Sequence, residues 1–292
     1  MIEAKIIKHS KSSVNGQEII TYELTYPRMI HSEFLTHRLF SRNAASSRAI
    51  PIDTLIKLVR EECAMPSEWG LNQSGMQAKG IHTNPQLCKE TWLRGAERAI
   101  QTAEELKALG LHKQICNRPL EPFQCIKTVV TATEWNNWFW LRNHEAADPT
   151  IQELARKMLE AKEVSIPQIL NPDEYHLPYV DSLVGLSLDE AIKISVSCCA
   201  QVSYRKLDDS MDKAERIYDM LLNMDRVHAS PFEHIATPME FPNDSELNSK
   251  RLSTAKRYMS KGEHLDNEGN FWSGNFKGWY QYRQEIPNNT KW

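Results

Sequence analysis

Between Ile19 and Tyr26 the chain keeps a strict two-residue alternation: Ile20, Tyr22, Leu24 and Tyr26 interleave with Ile19, Thr21, Glu23 and Thr25, and Pro27 follows. That period belongs to a β-strand, whose successive side chains point to opposite faces, and proline has no N–H to continue a sheet ladder. Ile6-Ile7 before it and the β-branched run Ile126 to Thr131 after it read as further strands, the second of them buried. Helical periods are interleaved with these. Trp92, Ala96, Ala99, Ile100, Ala103 and Leu106 mark one helix, stopped at Gly110. Ile151, Leu154, Ala155, Met158 and Leu159 mark another, with Asp148 as its cap and Pro149 in its first turn. Ser187-Leu188-Asp189-Glu190 is a capping box opening a third, with Leu188, Ala191, Ile192, Ser195 and Val196 facing inward, and a fourth spans about 213–224. Strands mixed with helices place the chain in the α/β class.

Three stretches are read by the same rules. Met29, Ile30, Phe34, Leu35, Leu39 and Phe40 recur at helical spacing, which predicts a helix carrying His37 and Arg38 toward its end. Residues 66–90, punctuated by Pro66, Gly70, Gly75, Gly80 and Pro85, read as a long irregular loop. Pro167 to Pro178 reads as a surface connection.

The composition sets limits on function. A length of 292 residues allows one large domain or two smaller ones, and a net charge of −3 gives no overall attraction to nucleic acid or an anionic membrane. Basic residues must therefore act locally. No apolar run approaches the roughly 20 residues of a bilayer span, and MIEAKIIKHS lacks the apolar core of a signal peptide, so a cytoplasmic location is expected. The cysteines Cys63, Cys88, Cys116, Cys125, Cys198 and Cys199 form no CxxC pair, which suits reduced thiols and predicts no structural metal. Neither a Gly-x-Gly-x-x-Gly nor a P-loop is present, so side-chain cations must hold any phosphate.

Those cations cluster in His31 to Pro51, HSEFLTHRLFSRNAASSRAIP. Arg38, Arg42 and Arg48 offer planar forks matched to phosphate oxygens, and Ser41, Ser46 and Ser47 offer donors that tolerate close approach. Composition alone equally permits a solvated basic turn. In a second segment, Asn137 and Arg142 sit among Trp135, Trp138, Phe139 and Trp140. The aromatics read as core, but an arginine among them needs an anionic or carbonyl partner.

The first stretch resembles the signature of the flavin-dependent thymidylate synthases: Arg-His-Arg, seven residues, Ser, one residue, Arg. His37, Arg38, Ser46 and Arg48 fit it and Asn43 also matches. Thr36 replaces the first Arg, Glu33 stands where a Gln is usual, and Ala44 replaces an acidic residue. Asn137 to Arg142 with Ala147-Asp148 is similar to the family's second segment, and Arg118, four residues before Pro122, matches its phosphate-binding Arg. Cys199 to Tyr204 and His228-Ala229-Ser230-Pro231-Phe232-Glu233-His234 resemble two more. The last of these precedes the His-Arg block in most of the family and follows it here, as in some viral members, so the motif blocks look circularly permuted within one domain covering 1–292.

The resemblance implies a mixed sheet with packed helices and an enzyme that methylates deoxyuridylate (dUMP) with methylenetetrahydrofolate, FAD and NADPH, as a homotetramer with shared sites. It implies substrate contacts at Glu33, Ser46, Ser47, Arg48, Arg118 and Arg142, the last stabilising charge on the pyrimidine. Cofactor contacts are implied at Thr36, His37, Arg38, Asn43, Asn137, His228, Ser230 and Glu233. Two alternatives stay open: a related flavoenzyme acting on another pyrimidine nucleotide, and a flavin-free module binding single-stranded nucleic acid.

Overall fold

The computed structural model describes residues 2–203, 207–240 and 262–290. Strands β1 (Glu3–Ser12) and β2 (Glu18–Pro27) are followed by α1 (His31–Phe34), β3 (Ser41–Ala44), α2 (Ile52–Glu61), α3 (Pro85–Ala108), α4 (Lys113–Cys116) and β4 (Cys125–Ala132). Then come α5 (Asn136–Arg142), α6 (Pro149–Glu163), β5 (Gln168–Leu170), α7 (Leu188–Ala200), α8 (Met211–Leu222) and β6 (Ala236–Pro238). Short strands β7 (Glu263–Leu265), β8 (Phe271–Ser273), β9 (Phe276–Lys277) and β10 (Trp279–Gln281) end the described chain. The main sheet runs β3-β4-β2-β1-β5, parallel at β1–β5 and antiparallel at every other pair, so it is mixed as expected.

The alternation that opens the sequence decides how this sheet is covered. Ile20, Tyr22, Leu24 and Tyr26 face one way, into a core with Ile126, Val130, Trp135, Trp138, Ile151, Leu154 and Met158. Each such side chain contributes about 1.5–3 kcal/mol by leaving water. The other face is also apolar in part: Ile19 packs with Leu170, Ala236, Phe276 and Trp279, and Val129 with Cys199 and Val202. Residues up to about 170 thus build the sheet and one layer, and those after them lay the opposite layer over it.

Local signals place the helices. Asp148 accepts from the backbone N–H of Thr150 and Ile151 with Pro149 next to it, Ser187 and Glu190 close their capping box, and Gly110 stops α3 at a φ of 79°. Leu188, read as inward, is 41% exposed. The helix expected over 29–40 is shorter: α1 ends at Phe34, where the Thr36 hydroxyl donates to the Glu33 carbonyl at 2.7 Å. Thr36 side-chain bonding competes with helix propagation. Ile30, Phe34 and Phe40 still reach the core, so one apolar spacing serves a helix and the turn after it. The irregular loop is also shorter than read, because Asn84 caps α3 and Pro85 is its first residue. Cap residues and loop residues share an alphabet. Pro167 to Pro178 is a surface connection in its first part, where Gln168, Ile169, Asn171, Asp173 and Glu174 are exposed although residues 168–170 form β5, and turns interior at its end, where His176, Leu177 and Pro178 are buried.

Candidate active site

Three groups of side chains gather along the edge strand β3. The first surrounds Arg142 at the end of α5. Its Nε donates to His37 Nε2 at 3.1 Å, its Nη2 donates to Thr36 Oγ1 at 3.2 Å, and its Nη1 lies 3.7 Å from Glu33 Oε2. Glu33 is the anionic partner that an arginine in this segment needs, and Thr36 supplies an acceptor where an arginine would add repulsion. His37 is buried against Trp138 and Phe40, with ring centroids 4.8 and 5.6 Å away. Burial, then Arg142 and Arg42, lower its pKa to about 4. The ring is neutral at physiological pH, and because Nε2 accepts from Arg142 its proton sits on Nδ1. Arg42 is not an open fork: its Nη1 donates to the carbonyls of Leu35 and His37 and braces the turn.

The second group lies where the Ser230–His234 turn crosses β3. Asn43 and Ser230, far apart in sequence, come within 3.5 Å, and His234 Nε2 is 3.1 Å from the Asn43 amide. From His234 a chain of buried hydrogen bonds crosses the sheet. His234 Nδ1 meets Thr131 Oγ1 at 2.8 Å, Thr131 meets Thr21 Oγ1 at 2.6 Å, Thr21 meets His176 Nε2 at 2.8 Å, and His176 Nδ1 meets Ser10 Oγ at 2.9 Å. Burial drives the His234 pKa down to about 3 and the His176 pKa well below the usual imidazole range, so both rings are neutral. Glu233 pairs with Arg283, and Ser41 bonds with Asn275 and Gln281, which ties the C-terminal strands to the same edge.

The third group follows β3. The Ser46 N–H donates to Ser203 Oγ at 2.9 Å, so the 199–204 segment meets the turn through Ser203; Tyr204 lies outside the described residues. Ser47 is buried, and its hydroxyl donates to Glu121 Oε1 at 2.7 Å. Arg118 Nη1 reaches the same oxygen at 2.8 Å, and Arg28 Nη2 reaches it at 3.2 Å. A cleft of about 660 Å³ beside the turn is lined by Ala45, Leu55, Gln124, Lys127 and Ser203 among others. The Nε2 of Gln124 is buried there with no partner among the described residues. Arg38, Arg48, Asn137 and His228 are exposed. Among the described residues the side chains of Arg38, Arg48 and Asn137 make no hydrogen bond or ion pair.

The model of the thymidylate synthase complementing protein family matches residues 2–168. The chain belongs to that family. It is thereby a methyltransferase of the thymidylate synthase type. The matched residues of this family member hold Glu33 to Arg48, Arg118, Asn137 and Arg142, whereas the His228–His234 segment lies beyond them and packs onto β3 from the other layer. Among solved structures, a UMP/dUMP methylase, PolB from Streptomyces cacaoi, resembles it in two forms. With 5-Br dUMP bound, identity is 15% over 56% of this chain and 90% of that one, with a TM-score of 0.46. With 5-Br UMP bound, the values are 17%, 56%, 88% and 0.44. No curated protein matches the chain.

Sequence reasoning brought forward most of these side chains but missed Arg28, Glu121 and the buried chain from His234 to Ser10. Arg28 follows a strand-ending proline and Glu121 lies between Arg118 and Pro122, positions at which a surface charge is unremarkable. Thr21 looked like an ordinary strand residue.

Proposed function

We propose that this protein methylates dUMP to dTMP, taking the carbon from methylenetetrahydrofolate and the reducing equivalents from NADPH through FAD. The observation that carries the reading is the Arg142 cradle of Glu33, Thr36 and His37, inside the span matched by the family. A methylene group is two electrons more oxidised than a methyl group, so transfer needs a hydride as well as a carbon, and that redox chemistry is what a flavin supplies. The donors proposed for such a group are Asn43 and Ser230, which meet at β3, with the exposed Arg38, Asn137 and His228: a cation, amides, an imidazole and a hydroxyl. Thr36 and His37 would act on it through Arg142, and Glu233 through its pair with Arg283.

For the nucleotide, Ser46, Ser47, Arg48 and Arg118 would bind the phosphate, and the neighbouring cleft has the volume of a nucleotide-sized ligand. Arg142, fixed by Glu33 and a neutral His37, would stabilise negative charge developing on the pyrimidine. No residue of the group is an activated nucleophile, since Ser46 has no base beside it. Homotetramer formation with shared sites is supported by an exposed apolar patch beside the cradle: Trp140, Leu141, Leu35 and Leu39 are 75, 42, 40 and 41% exposed. Among the described residues no helix is long and apolar enough to cross a membrane.

Purified protein should be yellow with a flavin absorption spectrum and should form dTMP from dUMP, methylenetetrahydrofolate and NADPH. A protein that stays colourless with added FAD would remove the cofactor reading, and a product other than dTMP would select another pyrimidine nucleotide, the reading that Glu33 and Thr36 leave open.

A further inference from the structure

Glu121 faces two guanidiniums and a hydroxyl with one carboxylate oxygen. Ser47 Oγ, Arg118 Nη1 and Arg28 Nη2 converge on its Oε1 at 2.7, 2.8 and 3.2 Å. They come from three places: the turn after β3, the residue after β2, and the 3-10 turn that carries Glu121 itself. One carboxylate oxygen offers about two lone-pair sites. The hydrogen bonds from Ser47 and Arg118 fill them, Arg28 is held by charge alone, and two full positive charges face a single negative one. A phosphate monoester has three terminal oxygens to divide the donors among and a charge of about −1.5 to −2 at neutral pH, which matches two guanidiniums.

The two guanidiniums are also accessible, and the turn beside them is held in place. Side-chain exposures of 54% for Arg118, 21% for Arg28 and 23% for Glu121 leave the cluster open to solvent. Asn117, fully buried, donates through Nδ2 to the carbonyls of Ser47 and Ile50 at 2.7 and 3.0 Å. The turn therefore keeps its shape whether or not Glu121 is bonded to it. The exposed guanidinium of Arg48 lies on the same turn.

We propose that Glu121 is an internal stand-in for the phosphate of the nucleotide, displaced from Ser47, Arg28 and Arg118 when substrate binds, and that Arg28 is a phosphate-binding residue of this protein. The carboxylate keeps the donors assembled in the ligand-free protein and makes anions compete for them, so weakly charged anions are rejected while a phosphate dianion is admitted. The proposal deepens the deoxyuridylate reading and rests on it for the identity of the nucleotide.

Calorimetric titration of the purified full-length protein with dUMP, inorganic phosphate and deoxyuridine tests it, using Glu121→Gln and Arg28→Gln. Glu121→Gln keeps an acceptor and removes the competing charge, so phosphate and dUMP should bind about tenfold more tightly, with deoxyuridine unchanged. Arg28→Gln should weaken both phosphate-bearing ligands by about tenfold and again leave deoxyuridine unchanged. If Glu121 is a fixed brace, Glu121→Gln lowers the melting temperature while phosphate affinity stays level or falls, and the proposal is overturned. If Glu121→Gln does not fold, Arg28→Gln decides alone: unchanged phosphate and dUMP affinity overturns it. Phosphate responding as expected with dUMP no tighter than phosphate would keep the displacement and remove the deoxyuridylate reading. Tight dUMP binding indifferent to both substitutions would do the reverse.

Discussion

At the scale of single residues, Arg142 separates a chemical role from a structural one. Its three partners use different parts of the guanidinium, and a lysine ammonium at that position could keep the charge near Glu33 but not donate to His37 and Thr36 together. Arg142→Lys should therefore lower kcat by about a hundredfold with dUMP affinity and melting temperature nearly unchanged. Steady-state kinetics alongside thermal melts check this, and near-normal turnover in a destabilised protein would make Arg142 a core residue. The need for an anionic or carbonyl partner at Arg142 was legible in sequence, because an arginine among tryptophans must be paired. Which group it would be was not. Glu33 is 109 residues away, and the replacement of an arginine by Thr36 makes sense only once the Arg142 Nη2 to Thr36 Oγ1 bond is known. Glu121 was invisible for a related reason: its meaning lies in a hydroxyl and two guanidiniums brought to it in the fold, and no spacing in the chain announces that.

At the scale of elements, strands were easier to read than the joints between them. The alternation in β2 and the β-branched run in β4 specify strands because period and propensity agree, and both are central in the sheet. The stretch from Met29 to Phe40 misled because its apolar spacing fits a helix although a turn also satisfies it. Thr21 and Thr131, directly paired across β2 and β4, point into the layer where His234 and His176 lie, and the four polar groups satisfy one another inside an apolar surround. Thr131→Val keeps the shape and removes the central hydroxyl, leaving Thr21 and His234 each short of a partner. Urea unfolding should show a loss of about 1–3 kcal/mol per group left unsatisfied. Since the chain ends on Asn43, flavin affinity should also fall in this variant, whereas a merely packed threonine would give a stability change with affinity intact.

At the scale of the whole molecule, the family match ends at residue 168 but the fold does not. The face of the sheet carrying Ile19, Thr21, Val129 and Thr131 is covered by residues from the second half, so a fragment of residues 1–168 would expose it. Such a fragment should aggregate on expression, and a soluble monomer with a sharp thermal transition would refute the two-layer account. Burial in both layers also sets how the protein responds to acid. His37 and His31 are lowered to about 4 and His234 to about 3, each mainly by burial, and His9 and His176 are shifted the same way. Unfolded imidazoles titrate near 6.5, so between that pH and the folded values the unfolded chain binds protons that the folded chain refuses. Stability should therefore be level above about pH 7 and fall as pH drops from about 6.5 toward 4, each refused proton adding up to about 1.4 kcal/mol per pH unit. Denaturant midpoints at pH 7.5, 6 and 5 measure this. Thr131→Val loses partners of His234 without unburying it, so its slope should match that of the parent, while His37→Gln should flatten the slope by one proton. A parent profile flat from pH 7.5 to 5 would mean that these rings accept protons in the folded state, which the burial of His176 and His234 between the layers forbids.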